Sequence, residues 1–461
     1  MSTRRNLKNL LQSTVCVLSL ATALPASADT LEEALAFTYV ANPSLTAQRA
    51  YVKSVYEKIV QNKSGYRPVV SANGAAGYSH DDVDTDLPAT TYETDSKPYS
   101  VNVSAVQPIF SGFSTVSSVK AAEKKYNSEL MNLRATTQNI LLDAVAAYTD
   151  VIRDKAVLEL NENNEKVLER QLTYTQDKFR VGELTKTDVA QAQARHAGAV
   201  ASVIDARGAL KVSEAAYKKV IGAVPAEIYE PEIPTSVLPK SLEHALELAL
   251  RDNPSLLAAK QSEESAAASI DTAKAGHYPT LDLVAAYEND HTDDVKQNST
   301  SVMLVMNVPL YKGGNVVSRV RESKLLAQQA RMNKNAVEKN VVSQTTQAWQ
   351  NYESATASLA SLQERVKAAA LAYEGVKYEE EAGERTILDV LNAQQELLES
   401  RVSVVSAKKE QIEASYRLLA ATGKMTKKDL GLDVSKYEKS NRKKAKAENA
   451  GDPASDAAEN I

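Results

Sequence analysis

The chain carries two copies of one plan, and this repetition limits its fold more than any single motif. Thr30-Leu31-Glu32-Glu33-Ala34-Leu35 and Asn42-Pro43-Ser44-Leu45 return as Ser241-Leu242-Glu243-His244-Ala245-Leu246 and Asn253-Pro254-Ser255-Leu256. The shift is 211 residues at both places and still holds from Pro68 to Pro279. From Gly112 and Gly313 onward it is 201, through Gly182 and Gly383 to Gly222 and Gly423. Whatever one half folds into, the other must also form, so the repeat is read before any motif. The ten-residue difference falls between residues 68 and 112, and we place it in the acidic stretch from His80 to Pro98. The plan divides the chain into a leader (1–28), a first repeat (29–222), a linker (223–240), a second repeat (241–423) and a C-terminal segment (424–461).

The leader is read from its layout: Arg4, Arg5 and Lys8, an apolar run from Leu10 to Leu24, then Ala26-Ser27-Ala28 as a small-residue cleavage site. Cutting there removes three cations and takes the net charge from −5 to −8, which argues against a nucleic-acid surface. The only cysteine, Cys16, lies in the leader behind Val15, where lipid attachment wants a small residue. The mature chain is therefore expected to have no disulfide and no lipid. Beyond the leader there is no apolar stretch of about 18 residues, so no membrane-crossing helix is expected.

Each half does hold two runs that alternate with period two. In the first half, Val70, Ala72, Gly74, Ala76 and Tyr78 alternate with polar or small residues, as do Tyr99, Val101, Val103 and Ala105. In the second half the runs are Leu281, Leu283, Ala285 and Tyr287, then Val302, Leu304, Met306 and Val308. Runs of about ten residues with this pattern suit tilted strands of an outer-membrane barrel. His80 to Pro98 and Asp290 to Asn298 read as polar loops between them. The other reading of the runs is ordinary hairpins of a soluble sheet; if they cross a membrane, four strands cannot close a barrel and open edges in hydrocarbon leave backbone groups unpaired, so several copies must share one barrel.

The remaining sequence is helical. Val119, Tyr126, Leu130, Leu133, Ile140, Tyr148 and Val151 form a heptad-like seam in a proline-free stretch from Gly112 to Arg180. Gly313 to Glu381 repeats it. Shorter helices are expected at 31–66, 185–221, 242–278 and 386–422, lying antiparallel along the long ones. Between long and short helices, Gly182 and Gly383 suit a left-handed helix end, and Thr185 and Thr386 suit N-caps. Asp188 and Asp389 follow at capping-box spacing. Capping by itself explains both aspartates; as rings in a tube of several chains they would also attract cations.

Together the duplicated element order, Pro108-Ile109-Phe110-Ser111-Gly112, Pro309-Leu310-Tyr311-Lys312-Gly313 and Gly383-Glu384-Arg385-Thr386-Ile387-Leu388-Asp389-Val390-Leu391-Asn392-Ala393 resemble the TolC family of outer-membrane channel-tunnels, over residues 30 to 423. The resemblance implies a homotrimer sharing a twelve-stranded barrel in outer-membrane lipid and an α-helical tunnel across the periplasm. It implies a periplasmic adaptor and an inner-membrane transporter of the ABC or RND type as partners, and no chemistry. It places a periplasmic gate at Arg385, Asp389, Thr187 and Asp188. Two positions depart from the family. Asn392 stands where some members have a second acid, and Glu380 where a tyrosine would reach Asp188. Exposed tips at Val181, Gly182, Glu183, Gly383 and Glu384 are the expected adaptor contacts. The absence of a lipid-bearing cysteine favours a secretion or general-purpose member.

The five histidines show no ligand spacing, and there is no phosphate loop or nucleophile elbow, so neither metal, cofactor nor enzyme activity is expected. The tail from Asp433 reads as disordered. The alternative is a secreted periplasmic coiled-coil protein with a structural role.

Overall fold

The computed structural model describes residues 30–85, 90–225, 227–293, 295–435 and 437; the expected leader, Asp86 and most of the C-terminal tail lie outside the described residues. The first half runs α1 (Leu31–Ala41), α2 (Pro43–Lys63), β1 (Val69–Ala76), β2 (Ser79–Thr85), β3 (Thr90–Ser96), β4 (Tyr99–Phe110), α3 (Ser114–Arg180) and α4 (Lys186–Ile221). The second runs α5 (Leu242–Asp252), α6 (Pro254–Lys274), β5 (Thr280–Thr292), β6 (Val295–Asn307), α7 (Asn315–Glu381) and α8 (Ile387–Ala421). Helices α3 and α7 each have 67 residues, about 100 Å at 1.5 Å per residue.

The helices expected to be continuous over 31–66 and 242–278 are broken, and the Asn-Pro-Ser-Leu repeats explain the break. Asn42 and Asn253 adopt extended backbone, and each side chain accepts from the amides two and three residues on, with proline at the first helical position. Each asparagine also donates to the C-terminal end of a distant helix: Asn42 Nδ2 to Val220 O at 3.2 Å, Asn253 Nδ2 to Ala421 O at 3.0 Å. The motif is therefore a cap and a clamp at once.

Strands β1, β4, β5 and β6 form one antiparallel sheet in the order β1-β4-β5-β6, with β1 and β6 as open edges. The register places Val70, Ala72, Gly74 and Ala76 of β1 level with Ala105, Val103, Val101 and Tyr99 of β4. It continues through Ala285 and Tyr287 of β5 to Val302 and Thr300 of β6. Paired residues share a face, so the alternating apolar positions of all four strands make one continuous apolar band across the sheet. Ser71, Ser104, Ala286 and Ser301, then Asn73, Asn102, Glu288 and Ser299, line the other face.

Both expected loops are largely strand. Asp290–Asn298 belongs to β5 and β6, with Thr292 paired to Val295 across a two-residue turn. His80–Pro98 mostly belongs to β2 and β3, which pair as a separate ribbon from Ser79↔Ser96 to Thr85↔Thr90. Rows of aspartate depress strand propensity, yet His80, Asp81, Asp82, Glu93, Thr94 and Asp95 are paired strand residues that stay exposed. The ten extra residues of the first half lie here: four in each arm, and the other two in the sequence between Thr85 and Thr90.

Laterally, the helices continue the order of the strands they join. Above the middle of α3 the sequence across the chain is α2, α3, α6, α7; below it, α4, α3, α8, α7. The main core lies at this changeover, where Leu31, Leu35, Leu141, Tyr148, Tyr217, Ile221, Leu419, Met425 and Leu432 pack together. Tyr148 donates to the carbonyl of Tyr229 in the linker at 2.8 Å. The segment after α8 joins this core: Val434 is 2 % exposed, and Tyr437 meets Phe37 edge-on at 5.5 Å. The beginning of the expected disordered tail is therefore packed.

Candidate functional site

At the end remote from the sheet, each half turns from its long helix into a short one through the same device. Gly182 (φ 86°) and Gly383 (φ 83°) occupy the left-handed region. The amides of Glu183 and Glu384 donate back to Lys178 O at 2.9 Å and Glu379 O at 2.8 Å, a helix-ending pattern that satisfies late carbonyls. Thr185 then caps α4 and Thr386 caps α8, each in a full capping box. Asp188 Oδ2 accepts from the Thr185 amide (2.9 Å) and hydroxyl (2.7 Å), and Asp389 Oδ2 accepts from Thr386 at 3.0 and 2.7 Å. Those hydroxyl bonds first, then the backbone bonds, hold both carboxyls below the usual carboxylate range.

Where the two turns differ, their side chains go opposite ways. Leu184 packs against a small apolar cluster of Leu168, Ala199, Ile387 and Leu391, which ties the tips of α3 and α4 to the start of α8. Its counterpart Arg385 stays exposed, with Nε 2.9 Å from Glu379 Oε2 on α7. Within the chain Arg385 pairs with Glu379, and neither Thr187 nor Asp188 is brought to it. Asp188 is engaged with Thr185.

Glu380, at the departing tyrosine position, is 7 % exposed and receives Lys178 Nζ at 3.4 Å. Lys178 also lies 4.7 Å from the centre of the Tyr174 ring. Tyr174, then the Glu380 carboxylate, holds the Lys178 ammonium above its ordinary value. This pair joins α3 to α7 one turn above the tips. Asn392 accepts from Arg195 at 2.9 Å, so it links α8 to α4. Sequence reasoning missed Lys178, Glu379 and Arg195, because each is defined by a partner about 200 residues away or by a charge pair inside one helix end. Val181, Gly182, Glu183, Gly383 and Glu384 are all exposed, with Val181 at 72 %.

At the other end, exposed aromatic and apolar side chains mark the junction of sheet and helices: Phe113, Tyr278, Leu310 and Tyr311, the last two more than four-fifths exposed. Phe113 meets Phe110 and Tyr278 edge-on at 5.1 and 6.0 Å. Exposed aromatics at the border of an apolar strand band are what a membrane interface selects. Among the described residues no helix is long and apolar enough to cross a membrane, and no acidic, histidine or cysteine side chains gather into a metal site.

The chain has relatives among known proteins. The profile of outer membrane efflux proteins matches residues 38–223 and 245–424, one stretch per repeat. The outer membrane efflux protein BepC of Brucella suis is 35 % identical over 428 residues, 92 % of each chain. The outer membrane protein TolC of Vibrio cholerae is 28 % identical, over 86 % of this chain and 92 % of that one. The crystal structure of the Campylobacter jejuni CmeC outer membrane channel superposes with a TM-score of 0.75 at 14 % identity, over 89 % of this chain and 88 % of that one, a likeness of fold.

Proposed function

This chain belongs to the outer membrane efflux protein family and is the outer-membrane exit duct of a tripartite export system; we propose that it works as a homotrimer whose strands close one twelve-stranded barrel and whose helices form a periplasmic tunnel. The observation that carries the reading is the sheet with two open edges and one apolar band running across all four strands, continued in the same lateral order by helices about 100 Å long. Protein or small-molecule cargo would pass from an inner-membrane ABC or RND-type transporter, through a periplasmic adaptor, into the tunnel. The adaptor docks at Val181, Gly182, Glu183, Gly383 and Glu384, which the fold leaves uncovered.

The tips form the tunnel entrance. Arg385, together with Thr187 and Asp188 of an adjacent copy, holds it closed, and Asp389 makes a ring of carboxylates there with Asn392 one turn behind. Lys178 and Glu380 take over the contact that the absent tyrosine would make. Deletion of the gene tests the reading: export fails, seen as proteins lost from the medium or as new sensitivity to dyes and detergents. Heat-modifiable trimers in the outer-membrane fraction are expected. A soluble, elongated periplasmic protein with neither phenotype would sustain the structural coiled-coil alternative instead.

A further inference from the structure

Where the ends of α1 and α5 meet the middle of α3 and the segment after α8, the chain holds a cavity of about 540 Å³ that neither the duct nor its entrance uses. Its floor is apolar: Pro254 and Met425 are buried there, and Leu130 and Met131 are half-buried. Its rim is cationic. Arg134 of α3 and Lys427 and Lys428 after α8 are exposed at its edge, and among the described residues none of the three has an ion-pair or hydrogen-bond partner. Arg49 lies over the Tyr39 ring at 4.6 Å and donates to the Tyr39 carbonyl at 2.8 Å, so its charge meets no carboxylate. The one acid among the described lining residues, Asp252, is already held by Arg251 and Lys424 at 3.0 and 2.9 Å.

The internal repeat shows which of these cations the fold requires. Carried over by 211 residues, Arg49 becomes Lys260, which donates to Leu250 O at 3.4 Å as Arg49 donates to the counterpart carbonyl of Tyr39. That clamp belongs to the architecture. Carried over by 201 residues, Arg134 becomes Asn335, Lys427 becomes Ala226 and Lys428 becomes Glu227. The equivalent positions do without the three cations, so the repeated packing does not account for them. Cations gathered without counter-charges repel one another and raise the local concentration of anions.

We propose that this cavity binds an acidic peptide segment of a separate molecule, with carboxylates at alternate positions and an apolar residue between them. An extended segment of that kind presents its acidic and apolar side chains to opposite sides, which matches a charged rim and an apolar floor. Arg134 can take one carboxylate through two parallel bonds, and the two lysines act on the other as point charges. A bare anion such as phosphate would leave the floor in contact with water. A lipid headgroup is out of reach, because Arg134 lies about 30 Å along α3 from its sheet end, several screening lengths from a membrane surface at the strands. The chain's own acidic end, with Glu448, Asp452, Asp456 and Glu459, follows directly on Lys439, Arg442, Lys443, Lys444 and Lys446. Those cations would be drawn to the same rim and repelled by it.

Fluorescence anisotropy tests this with the full chain purified in detergent and a labelled Glu-Leu-Glu-Leu peptide at low salt. Arg134→Gln, and Lys427→Gln combined with Lys428→Gln, should each weaken binding roughly tenfold or more, and a Gln-Leu-Gln-Leu peptide should not bind. Lys367→Gln, at an exposed lysine of α7, should leave binding unchanged. The altered rim residues are exposed and unpaired, so circular dichroism should show the variants folded. No binding to the native chain, equal binding to the double variant, or equal binding of the two peptides overturns the proposal. Displacement by equimolar inorganic phosphate overturns it in favour of a bare-anion site. A chain ended after Ala447 that binds the peptide roughly tenfold more tightly overturns the separate molecule, since the chain's own acidic end is then the occupant.

Discussion

Thr386 and Asp389 show how much of the tip is local chemistry. The threonine hydroxyl satisfies the Asp389 amide at 3.3 Å, and the aspartate returns two bonds. Thr386→Ala removes that cap at a local cost of about 1 kcal/mol, which should appear as faster hydrogen exchange at the first amides of α8 with the barrel unaffected. Lys178 and Glu380 are less local. Glu380→Ala leaves a lysine whose side chain is 26 % exposed without its carboxylate, so the cost should be about 1–3 kcal/mol, below that of a fully buried pair. Because this pair spans α3 and α7, the variant should also raise single-channel conductance in planar bilayers; unchanged conductance would make the pair purely structural. Arg385→Ser should raise conductance as well, and by more if the closing bond lies between copies.

At the scale of elements, the helix-to-strand and strand-to-helix joints carry the strictest backbone demands. Gly112 sits in the left-handed region against the Ala275 carbonyl, and Gly313 repeats its φ with open space around it. An alanine at either position bears roughly 1–2 kcal/mol of conformational strain, plus the clash where a carbonyl approaches. Gly112→Ala should lower the temperature at which trimers dissociate on gels by more than Gly313→Ala, because the Ala275 carbonyl stands 2.9 Å from where the first Cβ would sit and nothing lies within 4 Å of the second.

For the whole molecule, the changeover of helix layers is held by the core beneath α1 and by the segment after α8. Asp252, at the end of α5, ties that helix to the segment after α8. Arg251 first, then Lys424 at 2.9 Å, lowers its carboxyl to about 2. A carboxyl depressed in the folded state stabilises above its unfolded value near 3.9, and that contribution is lost as pH falls toward 2. Arg251 is its sequence neighbour and stays close on unfolding, and water screens the pair, so the contribution should be below roughly 2 kcal/mol. Lys424→Ala should accordingly lower thermal stability at pH 7 and make little difference at pH 2, as followed by circular dichroism.

By itself the sequence determined what is periodic or local. The repeat, the four alternating runs, the long helices, the glycine ends and the threonine caps all follow from backbone preferences acting over a few residues or from a pattern repeated in the chain. The positions of Asp188 and Asp389 were legible for that reason, and so was the resemblance carried by residues 383 to 393. Acidic ribbons were misread as loops because strand pairing, which composition alone does not report, supplied their structure. The broken helices were misread because Asn42 and Asn253 act through carbonyls far along the chain as well as through the next turn. Tertiary structure alone decided which strand lies beside which, which of two equivalent residues turns inward as Leu184 or outward as Arg385, and that Glu380 answers Lys178. These are choices between partners about 200 residues apart, and their energies depend on which surfaces the packed helices bring into contact.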